Sequence, residues 1–269
     1  MSRIKETFAA LKRRGEKGLI TYLMGGDPDL ERTRELILAM AEAGADMVEV
    51  GIPFSDPLAD GPVIQAASNR ALAGGVTVNG ILQMVGEVRQ KVALPLVLMT
   101  YYNPVLQYGL EAFCRRAAES GADGLIVPDL PYEESELLRF YADRHGLDLI
   151  PLVAPTSTPV RVAAICARAR GFIYCVSVTG VTGMREKIET DLEALSSLVR
   201  RYTDLPVAIG FGVSGPEGVA RVAPFCDAVV VGSAIVRLIA EEAYEEVGKL
   251  TAALKGALSY KDKAGIRNT

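Results

Sequence analysis

Eight short apolar runs recur along this 269-residue chain, with amphipathic helical stretches between them. They are Leu19–Met24, Asp46–Gly51, Leu96–Thr100, Gly124–Pro128, Asp148–Val153, Gly171–Val176, Pro206–Gly210 and Asp227–Gly232. Strands that alternate with helices pair in parallel and are covered by those helices. Open doubly wound sheets usually have fewer strands, so this count favours closure. The expected fold class is α/β, a single-domain (β/α)8 TIM barrel, which at about 250 residues fits the length.

Several helix–strand junctions repeat a phrase: EAGADMVEV, ESGADGLIV and, more loosely, VAPFCDAVVV. In each a small residue ends a helix and an aspartate opens the next strand, as a repeated βα unit would give. Leu36, Met40 and Ala43 stripe one helix, closed by Gly44 as its expected C′ residue. Thr158-Pro159 opens another, as an N-cap followed by proline at the first helical position. Near the start Ile4, Phe8 and Leu11 share one helical face. A transit peptide would look partly similar, but Glu6 and Glu16 count against it. An extra N-terminal helix packed on the bottom of the barrel explains the pattern better. The barrel domain is expected over 1–258, with a polar tail over 259–269.

The composition is 49% hydrophobic with a formal net charge of -4, and no basic tract is interleaved with aromatics, so nucleic acid is not an expected partner. No signal-peptide core is present, and no apolar run approaches the roughly 20 residues of a membrane span. A cytoplasmic protein is expected. Cys114, Cys166, Cys175 and Cys226 lie far apart in apolar or helical contexts and read as buried free thiols. His145 is the only histidine, near a helix end before Gly146, so a multi-histidine metal site is impossible and no metal is expected.

In a closed barrel the reactive face lies at the C-terminal ends of the strands. Side chains alternate along a strand, so if Val48 and Val50 face the helices, Glu49 points into the barrel near its upper rim. A carboxylate there loses hydration, its pKa rises, and it suits a group that both gives and takes a proton. A core glutamate paired with a lysine or hydroxyl is the alternative. The following loop, PFSDPLADGP, holds Asp56 and Asp60. Asp60 precedes Gly61-Pro62 and could simply polarise a helix start. Two carboxylates of different setting on one strand exit also match what acid–base chemistry uses. Glycine turns at Gly180–Gly183, Gly210–Gly212 and Gly232-Ser233 let backbone N–H groups approach an anion. Barrels often bind phosphate at the last two strands. The G-x-G-x-x-G match at 210–215 lies on the seventh unit and not on an opening βαβ half, so a dinucleotide is not expected. Together these residues indicate a small phosphorylated substrate and carboxylate catalysis.

The segment VEVGIPFSDPLADGPVIQ (Val48–Gln65) resembles the signature of the tryptophan synthase α-chain family. The resemblance runs in order through ITYLMGGDPD, MTYYNPV, GLIVPDLPYEE, VSVTGVTG, GFGVSGPE and VVVGSAIV, from about residue 18 to 240. It implies a carbon–carbon lyase that splits indole-3-glycerol phosphate into indole and glyceraldehyde 3-phosphate by a retro-aldol step. It also implies Glu49 as the catalytic acid–base group and Asp60 beside the indole nitrogen. Thr182 and Gly183 match the loop that closes over substrate, Gly212, Gly232 and Ser233 match phosphate-binding positions, and Tyr174 and Phe211 match the indole pocket. Met99, Tyr101, Ile126 and Leu152 would complete an apolar ring slot. Tyr22 stands where other members have phenylalanine, and Val178 where some carry a charge.

The resemblance further implies a heterotetramer of two α and two β subunits. The partner would meet Ser55, Asp56, Pro57, Asn103 and Pro104, and pyridoxal phosphate would belong to the β chain, leaving no cofactor here. A free-standing indole-3-glycerol phosphate lyase and a catalytically silent activating subunit are the alternatives. Intact Glu49 and Asp60 argue against the second.

Overall fold

In the computed structural model residues 2–176, 191–210 and 215–258 are described in full, and residues 185–190 by backbone alone. The polar segment 259–269 lies outside them, as do Val178, Thr182, Gly183, Phe211 and Gly212. The chain opens with α1 (Arg3–Arg14), followed by β1 (Gly18–Met24), α2 (Leu30–Glu42), β2 (Met47–Gly51), α3 (Pro62–Ala73) and α4 (Val78–Arg89). Next come β3 (Leu96–Met99), α5 (Tyr102–Tyr108), α6 (Leu110–Glu119), β4 (Gly124–Ile126) and α7 (Glu136–Arg144). The remainder is β5 (Asp148–Leu149), β6 (Leu152–Val153), α8 (Pro159–Arg168), β7 (Ile173–Val176), α9 (Arg185–Arg200), β8 (Val207–Gly210), α10 (Pro216–Val222), β9 (Ala228–Val231), α11 (Ser233–Ala240) and α12 (Tyr244–Leu258).

Every strand pairing is parallel, in the order β5-β4-β3-β2-β1-β9-β8-β7-β6. The two ends of that order, β5 and β6, are separated in the chain only by Ile150 and Pro151, so the sheet closes on itself. The sequence predicts one fifth strand, whereas the ladder divides it. Pro151 has no N–H to give. Ile150 N–H still donates to Leu125 of one neighbouring strand (2.9 Å), while Pro151 C=O accepts from Tyr174 of the other (3.0 Å). The strand changes partners at the proline.

Alternation then separates two cores. Val48, Val50, Leu96, Leu98, Leu125, Val207 and Ile209 face the helix ring. Ile20, Met47, Val97, Ile126, Ile150, Phe172, Ala208 and Val230 fill the barrel interior. The expected N-terminal helix is α1: Ser2 caps it by accepting from Lys5 N–H, and Ile4, Phe8 and Leu11 plug the interior from below. Gly44 ends α2 at φ 100°, a conformation that disfavours any Cβ, and the Thr158 side chain caps α8.

The repeated aspartates have a structural reason. Asp46, Asp123 and Asp227 each accept, through the carboxylate, an N–H from the first or second residue of the preceding strand: Leu19 (2.8 Å), Leu96 (2.9 Å) and Val207 (2.9 Å). Each is also met by a cation: Lys255 (2.6 Å), Arg89 (2.8 Å) and Arg200 (2.8 Å), with Arg3 adding a second at Asp123 (2.9 Å). The bottom of the barrel is thus collared by carboxylates that satisfy otherwise open backbone donors. The four cysteines are buried and free. Among the described residues no single helix is long and apolar enough to cross a membrane.

Candidate active site

The upper layer of the barrel differs from the packed layers beneath it. Tyr22 and Glu49 are register partners on β1 and β2, and Met99, Tyr174 and Gly210 join them from β3, β7 and β8. With Asp60, Ile64, Gly232 and Ser233 they line a cavity of about 280 Å³ at the C-terminal ends of the strands. A second hollow of about 530 Å³ shares Met99 and Tyr174 and adds Ile126, Leu152 and Arg161.

Glu49 is 1% exposed, between Met47 below and Gly51 above on the inward face of β2. Neither carboxylate oxygen has a hydrogen-bond partner among the described residues, so the paired core glutamate is not what forms. Burial first, and the Asp60 charge second, push its pKa up to about 8. At neutral pH this carboxyl is largely protonated.

Asp60 arrives by another route. Its loop is pinned to the body at several points. Ser68, buried on α3, accepts from Phe54 N–H (3.0 Å) and donates to Phe54 C=O (2.9 Å). The Phe54 ring packs on Tyr101 at 5.4 Å, and Gln65 donates to the Asp60 carbonyl (2.9 Å). Tyr101 is the main fastening: its hydroxyl accepts from Ala59 N–H (3.0 Å) and donates to the Asp60 carboxylate. Burial raises Asp60 to about 6, while the Tyr101 hydrogen bond holds it down. The start of α3 is Gly61 with Pro62 next and has no side-chain cap, so Asp60 does not cap that helix. One carboxyl is therefore mostly neutral and the other mostly ionised at the same pH.

Glycines shape the walls. A Cβ on Gly210 would collide with the Tyr174 hydroxyl, and one on Gly51 with the Tyr22 hydroxyl. Gly232 precedes α11, and Ser233 is its first residue, so a helix N-terminus opens onto the cavity.

The cavity thus gathers Tyr22, Glu49, Asp60, Met99, Tyr174, Gly232 and Ser233 from the sequence-predicted set. Ile126 and Leu152 line the adjoining hollow. Tyr101 is buried and holds the Asp60 loop from behind instead of forming part of either wall. Sequence reasoning missed Ile64 and Arg161. Ile64 is an inward position on the first turn of α3, which only the placement of that helix reveals. Ser55, Asp56 and Asn103 are exposed, and Pro57 and Pro104 are half-buried. Asn103 and Pro104 lie on helix α5. Leu58, which the sequence reading passed over, is 93% exposed.

A family model described as tryptophan synthase alpha chain matches residues 8–264. The tryptophan synthase alpha chain of Carboxydothermus hydrogenoformans is 55% identical over 239 residues, 89% of this chain and 90% of that one. That of Thermoanaerobacter sp. is 48% identical over 263 residues, covering 96% and 100%. Among solved structures, tryptophan synthase subunit alpha from Legionella pneumophila superposes with a TM-score of 0.89 at 37% identity, covering 97% of this chain and 100% of that one. A tryptophan synthase structure from Mycobacterium tuberculosis gives 0.90 at 39% identity, covering 97% and 99%.

Proposed function

Because the chain belongs to the tryptophan synthase alpha chain family, and so is a lyase that cleaves indole-3-glycerol phosphate to indole and glyceraldehyde 3-phosphate, we propose that Glu49 and Asp60 divide the chemistry in the barrel-mouth cavity. The observation that carries this reading is the pair of carboxyls whose surroundings leave one neutral and one ionised at neutral pH.

The neutral Glu49 donates its proton to indole C3. The ring becomes an iminium cation, and the Asp60 carboxylate hydrogen-bonds the ring N–H and stabilises that charge. Glu49, now a carboxylate, removes the proton of the hydroxyl on the carbon attached to C3. The O–H electrons form the aldehyde carbonyl as the C3–C bond breaks, and the bonding pair returns to the ring and neutralises the iminium. Indole and glyceraldehyde 3-phosphate result, and the proton count on Glu49 is restored.

Met99, Tyr174, Ile126 and Leu152 supply apolar surface for the ring. The phosphate rests at Gly232 and Ser233, where the start of α11 favours an anion, with Gly183 and Gly212 beside it by resemblance. Thr182 and Phe211 are assigned on the same ground, to the closing loop and the indole pocket.

Partner and compartment belong to the same reading. As an alpha chain, this protein works with a β subunit. The stoichiometry is two of each, with the pyridoxal phosphate on the β chain. The contact runs over Ser55–Pro57 and Asn103-Pro104, and the exposed Leu58 gives it an apolar centre. Four buried free thiols suit a reducing cytoplasm.

Turnover of indole-3-glycerol phosphate by Glu49→Gln tests the division of roles. The folded variant is expected to lose roughly a hundred-fold or more. Near wild-type indole production would refute it.

A further inference from the structure

Tyr22 does more in the cavity than its ring requires. From β1 its ring lies against β9: a Cβ on Gly232 would sit 3.1 Å from Tyr22 Cδ1 and 3.2 Å from its Cβ. The far end reaches the top of β2, where a Cβ on Gly51 would meet the hydroxyl and lie 3.0 Å from Cζ. Glycine at both positions makes room for this one side chain. Tyr22 therefore spans the cavity wall from Gly232-Ser233, the anion end, to the rim immediately above Glu49.

Phenylalanine would fill the same apolar space. The added oxygen lines the cavity and makes no hydrogen bond among the described residues. Its O–H is therefore free to donate to a polar group that enters the cavity. Burial first, then the charges of Asp60 and Glu49, push its pKa well above the usual tyrosine value. It stays a neutral O–H donor.

We propose that the Tyr22 hydroxyl is a specificity-determining contact that hydrogen-bonds a hydroxyl of the three-carbon chain joining the indole ring to the phosphate. That stretch of substrate must cross between the two ends that Tyr22 connects. The proposal rests on the active-site reading above and adds to it the part of the substrate this residue selects.

The test compares wild type with Tyr22→Phe, which deletes one oxygen and leaves the packing intact. Two quantities are measured: kcat/KM for indole-3-glycerol phosphate, and the inhibition constant of indole-3-propanol phosphate, whose chain between ring and phosphate carries no hydroxyl. Loss of one neutral hydrogen bond predicts a fall of about three- to tenfold in kcat/KM. The inhibition constant should stay within about twofold. An unchanged kcat/KM overturns the proposal, and so does an equal loss for the hydroxyl-free compound, which would mark a packing effect. Glu49→Gln in the same assay keeps the two ideas apart. Full activity there defeats the active-site reading, while a dead Glu49→Gln beside an unaffected Tyr22→Phe defeats only this proposal.

Discussion

The hydroxyl of Tyr174 occupies the space that a side chain on Gly210 would need. The two residues stand on adjacent strands, with Tyr174 opposite Ala208 and Gly210 opposite Val176, so the tyrosine leans up over the glycine. Gly210 is thus required for the cavity's width and not for a turn.

Gly210→Ala should push Tyr174 into the space proposed for the indole ring. Overpacking of this kind costs about 1–3 kcal/mol, and a similar loss in substrate binding is roughly five- to 140-fold. Adding Tyr174→Phe removes the nearest colliding atom and should recover part of the loss. Steady-state kinetics on the single and double variants check this, and a Gly210→Ala enzyme with wild-type KM would contradict it.

The pH profile follows from the two carboxyls. On the proposed division of roles the first step needs Glu49 protonated and Asp60 ionised, so kcat/KM should form a bell with limbs near pH values of about 6 and 8. Because the groups interact, both limbs belong to the pair. Tyr101→Phe removes the donor that holds Asp60 down, so the acid limb should move to higher pH. The stability effect of Glu49 has the opposite sign to that of an ordinary paired carboxylate. Its folded pKa is raised, so its contribution is present below the unfolded value near 4.5 and is lost as pH rises towards 8. Denaturant titrations at several pH values should show a shallower slope for Glu49→Gln.

Most of this architecture was legible beforehand. Alternation placed Glu49 inward, and the apolar stripe of Ile4, Phe8 and Leu11 gave α1. The Asp at each strand start was visible as a repeat, but its purpose was not, because the backbone N–H it satisfies belongs to the preceding strand, far away in sequence. The break at Pro151 depends on which neighbour each half of the strand bonds. Tyr101 looked like a pocket aromatic, and its hold on the Asp60 loop emerged only from how the loop folds back over β3. The helix-start alternative for Asp60 could not be weighed without that contact.

Asp123 offers a test away from the chemistry. It is buried, accepts from Leu96 N–H and pairs with Arg89 and Arg3. Asp123→Asn leaves the partly buried Arg89 without its counter-charge and should cost about 3 kcal/mol in chemical denaturation. Once folded at low temperature, the variant should keep near-normal turnover. A silent effect on stability would mean the carboxylate is dispensable.

The proposed partner surface makes the last prediction. The Asp60 loop is fastened at Phe54, Ala59 and Gln65, yet Ser55, Asp56 and Leu58 between them face outward. A β subunit seated there would order the loop, so turnover should rise at least about tenfold on its addition, about 1.4 kcal/mol of barrier. Asp56→Ala or Leu58→Ser should blunt that rise and spare basal activity. An isolated chain that turns over fully and ignores added β chain would instead match a free-standing lyase.

The collar of aspartates at the foot of the barrel has an evolutionary consequence. Since three strand starts are locked by carboxylates and cations on one face and the proposed substrate cavity opens on the other, insertions or changes at the rim leave the fastening of the frame untouched. Diversification is thereby confined to the end where it alters recognition, and a lineage can retune its loops without renegotiating its foundation.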